Sequence, residues 1–365
     1  MRILWTAGIS KLLRGGGTIQ SIFHNIVSLS NLLRAWKEFK KGKSSKIDVS
    51  LFEMHLEDNL FELHYELVEK KYIPLPYEAF FVYDPKRRHI HKAHIRDRVV
   101  HQAIYRVLYL IFDKHFIFDS YSSRLEKGTH KGSKRLFISL RKMSKNWRKP
   151  VFALKCDVRK FFDSIDHQIL FKLIKKKVQD IETLALIWQV IDSFTTSSKV
   201  NISSDNRECF LGLPLGNVTS QLFANIYMNE LDQFVKHKLK TKFYLRYADD
   251  FIILQNNRII LEENLKQMCE FLEKELKLQL HPGKVFIKKL NQGIDFVGYV
   301  ILPNTTVLRT KTKSRILRKL KKAKYEMDCG EITKEKFEQI LASYLGVLKH
   351  CKNKEVKRKI KKINI

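Results

Sequence analysis

FYLRYADDFIILQ, residues 243–255, is two runs of apolar and aromatic side chains separated by Ala248, Asp249 and Asp250. Their length and their content of Ile, Phe and Tyr predict two buried strands, and the short acidic break predicts a tight hairpin between them. Two carboxylates then stand at a turn between buried strands. Upstream, VFALKCD (151–157) is another apolar run closing on an acid, as a buried strand delivering Asp157 to its exposed end would be. An isolated Asp-Asp pair in a turn is ordinarily a solvated loop, because Asp side chains bond readily to nearby backbone. With a third acid at a neighbouring strand end, the same residues become hard oxygen ligands suited to Mg2+. Two such ions about 3.5–4 Å apart serve phosphoryl transfer, one at the attacking hydroxyl and one at the leaving group.

The charge balance points to the partner. The 365 residues carry 69 Lys and Arg against 38 Asp and Glu, a net charge of +31. Self-repulsion of that size calls for a polyanion, and nucleic acid is the commonest. No run of 18 apolar residues occurs, and the opening MRILWTAGISKLLRGGG is broken by Lys11 and Arg14 without a convincing cleavage site, so a soluble cytoplasmic protein with no membrane partner is expected. The five cysteines (Cys156, Cys209, Cys269, Cys329, Cys351) are dispersed and form no C-x-x-C pair, which suggests neither a disulfide framework nor a zinc module.

Along the chain, residues 1–24 are poorly patterned. Ser50 and Glu53 sit at capping-box spacing ahead of Leu56, Leu60, Leu63 and Leu67, predicting an amphipathic helix to about Lys70, ended by Pro74 and Pro76. FFVYDPKRRHIHKA (80–93) reads as two extended segments around a basic turn from Asp84 to Arg88. Residues 96–111 look helical, and Gly128 and Gly132 mark a basic loop before a helix ending near Pro150. Leu261, Leu265, Met268, Leu272 and Leu276 form another helical stripe, and Pro282-Gly283 separates strand-like LKLQL from VFIKKL. Beyond about residue 305 the sequence becomes very basic and helix-like. The mixture of helices and short strands predicts an α+β fold, with a domain boundary near residue 305 where the basic helix-like segment begins.

Lys86, Arg87 and Arg88 in the basic turn and Arg98 in the following helix are candidates for contacts to phosphate, because cationic side chains, guanidinium groups bidentately, bind phosphate oxygens. The plainer reading of each is a solvated positive face. His89, His91, His94 and His101 suggest a metal site, but no Cys or acid completes a set and the flanking cations oppose one, which leaves nucleic-acid contact or surface placement. Phe80, Phe81 and Tyr83 could stack on bases, although alternation in a strand makes some of them core.

Taken in order, IRDRVVHQAI from Ile95, SYSSRLEKGTHKG from Ser120, KCDVRKFFDSIDH from Lys155, GLPLGNVTSQLFANIYMNELD from Gly212, YADDF from Tyr247, LHPGKVF from Leu280 and IDFVGYVI from Ile294 resemble the successive motifs of reverse transcriptases. The resemblance covers roughly residues 25–350. It implies a right-hand polymerase with N-terminal helices and fingers over 25–150, a palm over 151–304 whose antiparallel sheet packs on helices, and a basic helical thumb and tail over 305–365. It implies catalytic and metal-binding roles for Asp157, Asp249 and Asp250, with the Val158 backbone carbonyl completing the site for two Mg2+ and Mn2+ able to substitute. Phe162, five residues past Asp157, matches the ring that collides with a 2′ hydroxyl and so selects deoxynucleotides. Leu215, Gly216, Gln221, Arg98 and Lys284 match positions around the incoming dNTP, Lys284 as a proton donor to pyrophosphate. Lys86, Arg87, Arg88, Arg96, Arg124, Lys127, Tyr247, Gly298 and Tyr299 match positions along the template RNA and cDNA or primer.

Within the family, LPLGNVTSQ departs from the group II intron form, in which a Gln precedes the Gly and the block ends in Ser-Pro; Leu215 and Gln221 stand at those places. This version, with NLLRAWKEFKKGK, RLEKGTHKG and SYLGVLKH, resembles reverse transcriptases of diversity-generating retroelements. Loss of a hydrogen-bonding group beside the incoming base would loosen the check on base geometry. The resemblance implies misincorporation opposite template adenines, mutagenic retrohoming, a structured template RNA, a small basic oligomeric accessory protein, and a bacterial or phage source. No room is expected for an RNase H or endonuclease domain. The alternatives are a defence-associated (antiviral), retron-like or group II intron-like reverse transcriptase, or a catalytically idle RNA scaffold, which the intact Asp157, Asp249 and Asp250 disfavour.

Overall fold

The computed structural model describes residues 21–83, 87–195 and 210–363. Expectations for residues 1–20, Asp84, Lys86 and Cys209 lie outside the described residues. In chain order the first elements are α1 (Ile22–Val27), α2 (Leu29–Phe39), α3 (Ile47–Met54), α4 (Leu56–Val68), β1 (Glu78–Val82), β2 (Arg88–Lys92), α5 (Ile95–Phe112) and α6 (Thr129–Met143). β3 (Phe152–Asp157), α7 (His167–Lys175), α8 (Ile181–Asp192), α9 (Val218–Gln233), β4 (Tyr244–Tyr247), β5 (Asp250–Gln255) and α10 (Arg258–Leu276) follow. The chain continues through β6 (Phe286–Lys289), β7 (Ile294–Phe296), β8 (Tyr299–Leu302), β9 (Thr305–Leu308), α11 (Thr310–Asp328), α12 (Lys334–Leu348) and α13 (Lys354–Ile363). No helix of the described residues is long and apolar enough to cross a membrane.

The described residues fall into two units, one running to His115 and resuming over Phe162–Tyr227, the other comprising Phe116–Phe161 and everything from Met228. In the first, α2 packs along α5, and Leu32, Ala35 and Trp36 are buried, as are Val99, Ala103 and Ile104. Arg106 is buried in this layer with its charge matched: Nε donates to Asn31 Oδ1 at 2.8 Å and the guanidinium pairs with Glu38. β1 and β2 form an antiparallel hairpin with Glu78 opposite Lys92.

The helix expected from Ser50 begins earlier and breaks. Ser50 is not a cap, because its hydroxyl donates back to the Ser44 and Lys46 carbonyls inside α3, and the chain turns at His55 before α4 begins. A Ser that bonds its own preceding turn offers no acceptor to later amides. Leu60, Leu63 and Leu67 are nonetheless buried, as the stripe predicts.

In the second unit the sheet order is β4-β5-β3-β6, antiparallel throughout. β3 and β5 are interior strands buried along their middles, which is why both read as apolar runs, interrupted in β3 only by Lys155. Side chains alternate across them. Ala153, Ile252 and Leu254 join Leu136 and Leu140 of α6 in one core, while Leu154, Cys156, Phe251 and Ile253 occupy the opposite face, and α10 packs on β3 and β5. LKLQL does not form the expected strand: its first residue ends α10, and only Leu280 pairs, in an isolated antiparallel bridge with Val158. A separate β7-β8-β9 sheet precedes α11, and Leu308, Ile316, Leu320, Leu348, Val356 and Ile360 share a second core.

His101 departs from its expected place on the surface. It lies on the buried face of α5, with Nδ1 2.7 Å from Thr219 Oγ1 and Nε2 3.4 Å from Asn217 Nδ2. An amide donor facing Nε2 calls for an imidazole that accepts there and donates from Nδ1, so the ring is neutral. Burial, aided by Arg98, pushes its pKa down to about 3. Below the ordinary value of 6.5 the unfolded chain takes up a proton that the folded chain refuses until about pH 3. Stability should therefore fall as pH drops from 6.5 toward 3, by about 1.4 kcal/mol per pH unit from this group. Urea midpoints measured across that window should slope less in His101→Gln than in the unaltered chain.

Candidate active site

The register of the palm-like sheet sets the arrangement. β3 runs antiparallel to β5 with Asp157 directly opposite Asp250, and β4 to β5 with Tyr247 opposite Asp250. All three expected aspartates thus meet at one end of the sheet, with Asp249 in the turn. Backbone bonds close the cluster: Val158 N donates to the Asp249 carbonyl at 3.3 Å, and His281 N to the Asp157 carbonyl at 2.8 Å.

Two lysines offset the like charges. Lys284 Nζ lies 2.5 Å from Asp157 Oδ1, and Lys155 Nζ lies 3.1 Å from Asp250 Oδ2. Lys155 also donates to the Asp295 carbonyl at 3.1 Å. Burial first, then Asp157 and Asp249, push the pKa of Asp250 up to about 6 against the pull of Lys155. Asp250 Oδ1 is buried with no hydrogen-bond partner among the described residues. A buried carboxylate oxygen lacking a partner is costly, and a divalent cation there would satisfy it and favour the ionised form. The residues therefore fit a metal, although among the described residues no three His, Cys or carboxylate groups stand in a ready ligand cluster, and Lys284 and Lys155 hold two of the three acids.

Behind the turn lies a pair that composition could not reveal. Arg246 and Asp232 have fully buried side chains. The guanidinium grips the carboxylate through Nε at 2.8 Å and Nη2 at 2.7 Å, and Tyr244 donates to the same carboxylate at 2.7 Å. Arg246 Nη1 reaches the Ala248 carbonyl at 3.1 Å. Ala248 has φ of 55°, a left-handed conformation that costs a non-glycine residue roughly 1–2 kcal/mol, and this bond helps to hold it. The available signals were an arginine interrupting an apolar strand and an aspartate closing an apolar helix.

The other expected site residues divide between the units. Phe162, Leu215, Gly216, Gln221, Arg98, Arg96, Arg87 and Arg88 belong to the first. There the Phe162 carbonyl accepts from Leu213 N at 2.8 Å and the Leu215 carbonyl from His91 N at 3.3 Å, so the Gly212 block, Phe162 and the β1–β2 hairpin are joined by backbone. Phe161 is buried and Phe162 half-buried. Leu215 is half-exposed, and Gly216 and Gln221 are exposed. Gly216 has φ of 129°, which a side chain would strain.

Several basic candidates are engaged within the protein. Arg96 pairs with Glu66 and lies over Tyr72, and Arg98 is half-buried over Phe39. Arg87 lies over the Phe81 ring. Arg124 donates to the Ile117 and Ser120 carbonyls, and Lys127 donates to the Phe118 carbonyl while covering its ring. These contacts shape loops. Tyr247 packs against the sheet core, and Gly298, with φ of 89°, turns the chain between β7 and β8. The Tyr299 hydroxyl is committed to His130 Nδ1 at 2.8 Å.

Residues 84–301, more than half of the chain, match the family described as "Reverse transcriptase (RNA-dependent DNA polymerase)". The chain belongs to the reverse transcriptase family. This reverse transcriptase is 25% identical over 292 residues to protein YkfC of Escherichia coli K12, covering 70% of this chain and 74% of YkfC. It is 22% identical over 311 residues to the group II intron-encoded protein LtrA of Lactococcus lactis, covering 67% of this chain but only half of LtrA. Among solved structures, apo telomerase from Candida tropicalis, truncated from its C-terminal domain, aligns at TM-score 0.45 and 14% identity over 70% of this chain and 60% of that one.

Removing one member of the buried pair of this reverse transcriptase strands the other charge. Arg246→Met should cost about 3–5 kcal/mol in chemical denaturation, and Arg246→Met with Asp232→Leu should recover most of that loss.

Proposed function

We propose that this chain is an RNA-directed DNA polymerase that copies a template RNA into cDNA by two-metal nucleotidyl transfer at Asp157, Asp249 and Asp250. The observation that carries this reading is the pairing of Asp157 with Asp250 at the end of buried strands, beside a buried carboxylate oxygen that has no partner among the described residues. Two Mg2+ held by the three carboxylates and the Val158 carbonyl would activate the primer 3′ hydroxyl and neutralise charge on the departing pyrophosphate. Lys284, paired with Asp157 in the structure, would be freed by such cations and could then donate its ammonium proton to the leaving pyrophosphate. Phe162 closes the sugar pocket against a 2′ hydroxyl, and Arg98, Leu215, Gly216 and Gln221 border the incoming dNTP. In this account residues 25–150 form helices and fingers, 151–304 the palm and 305–365 the thumb and tail. The basic hairpin and thumb follow the nucleic-acid backbone, with affinity that weakens steeply in salt.

The finer reading is a diversity-generating retroelement enzyme, error-prone at template adenines and working with a small basic accessory protein. Its support is Leu215 and Gln221 within LPLGNVTSQ, an apolar side chain where a hydrogen-bonding one would police base geometry. Similarity to LtrA favours a second reading, a group II intron-like enzyme of higher accuracy.

Sequencing the cDNA made on a defined RNA separates the two. Errors concentrated opposite adenine, and reduced in Leu215→Gln, are the expected result; uniformly accurate cDNA would move the assignment to the intron-like class. Independently, Phe162→Ala should raise ribonucleotide incorporation by about ten-fold or more, the effect of relieving a clash worth over 1.4 kcal/mol. Competition of rNTP against dNTP in single-nucleotide extension reads it out.

A further inference from the structure

A cavity of about 430 Å3 opens in the second unit between the first turns of α6, the β8–β9 turn and the linker joining α12 to α13. It shares no lining residue with the carboxylate cluster. Lys134, Lys349 and Lys352 stand around it, and none of its lining residues is acidic. Three ammonium groups around one concavity repel each other unless an anion lies among them.

In a chain of this charge, surface lysines alone would signify only a solvated face. The aromatic wall is the second observation. His130 and His350 stack with centroids 4.1 Å apart and planes within 15°, and Phe137 lines the same cavity. The Tyr299 hydroxyl, 2.8 Å from His130 Nδ1, fixes that ring, and Lys352 N donates to the Thr306 carbonyl at 2.8 Å, tying the linker to β9. Burial and the neighbouring His350 hold the His130 pKa below the usual histidine value, so this ring offers a neutral aromatic face. Flat rings beside convergent cations suit a ligand with a base or similar ring at one end and phosphate at the other. The volume lies within the range of about 300–1,000 Å3 typical of small-molecule sites.

We propose that this cavity binds a nucleoside phosphomonoester, with the phosphate among Lys134, Lys349 and Lys352 and the base against the His130–His350 stack and Phe137. The same chemistry is offered by a free mononucleotide and by the 5′-phosphorylated end of a nucleic-acid strand. Three lysines at one concavity suit the dianionic terminal group better than an internal phosphodiester, which carries a single charge and two ester links.

Calorimetric titration of the full chain in EDTA tests this with AMP, adenosine, and a short DNA oligonucleotide with either a 5′ phosphate or a 5′ hydroxyl. EDTA keeps divalent cations from the carboxylate cluster. One AMP per chain is expected, with adenosine about ten-fold weaker or worse, as loss of a charge-assisted contact implies. Lys349→Ala with Lys352→Ala should abolish that preference, and Lys134→Glu should act in the same direction. All three lysines are exposed, so neither variant threatens the fold. Asp249→Ala with Asp250→Ala should leave AMP binding intact, which separates this site from the polymerase assignment. Preference for the 5′-phosphorylated strand without AMP binding, lost in the same lysine variants, would assign the site to strand ends. Indifference to the phosphate in every ligand, or equal affinity in the lysine variants, would overturn the proposal.

Discussion

The buried ion pair between Arg246 and Asp232 is the constraint on which the carboxylate cluster rests. A guanidinium withdrawn from water is tolerable only if its donors are matched, and here they are shared between Asp232 at the end of α9 and the Ala248 carbonyl in the turn. Arg246 also exchanges backbone bonds with Asp119 and Tyr121, at 3.0 and 2.9 Å. One residue therefore joins a helix end, a sheet edge and the turn carrying Asp249. Hydrophobic residues of similar volume could supply comparable stability, but they would not bond the Ala248 carbonyl.

Around that support, function demands an arrangement that folding disfavours. Asp157 and Asp250 face each other across β3 and β5 with Asp249 adjacent, and burial compounds the repulsion by raising the pKa of Asp250. Lys155 and Lys284 offset it with ion pairs at 3.1 and 2.5 Å. Lys155 is buried and fixed at both ends, which suits a lasting structural partner, whereas Lys284 is more exposed and freer to exchange Asp157 for another partner. The Oδ1 of Asp250, without a partner among the described residues, marks where that compensation stops.

Local patterning made the central strands and the aspartate cluster legible, because strands buried on both faces leave continuous apolar runs and the acids fall at their ends. The breaks were harder. Ser50 and Glu53 mimic a cap, and only the back-bond from Ser50 to the Lys46 carbonyl reveals that the helix had already begun. Arg96, Arg124 and Lys127 match nucleic-acid-binding positions by resemblance, and what the sequence could not report is the direction of each side chain, which engages Glu66 or a loop carbonyl. Arg246 and Asp232 escaped notice because their meaning lies in a pairing across 14 residues that neither periodicity nor motif order encodes. His101 was misjudged for a similar reason: its neighbours Thr219 and Asn217 are more than 100 positions away.

Extension of a DNA primer on an RNA template, with Mg2+ and dNTPs, tests the central assignment most directly when the unaltered chain is compared with Asp249→Asn plus Asp250→Asn. The substitutions keep side-chain volume while removing both charges, and matched unfolding midpoints would exclude loss of the fold. The account predicts RNA-templated synthesis by the unaltered chain and a loss of several orders of magnitude in the double variant. Synthesis undiminished in the double variant, or none by the unaltered chain even with its cognate RNA and accessory protein, would contradict it.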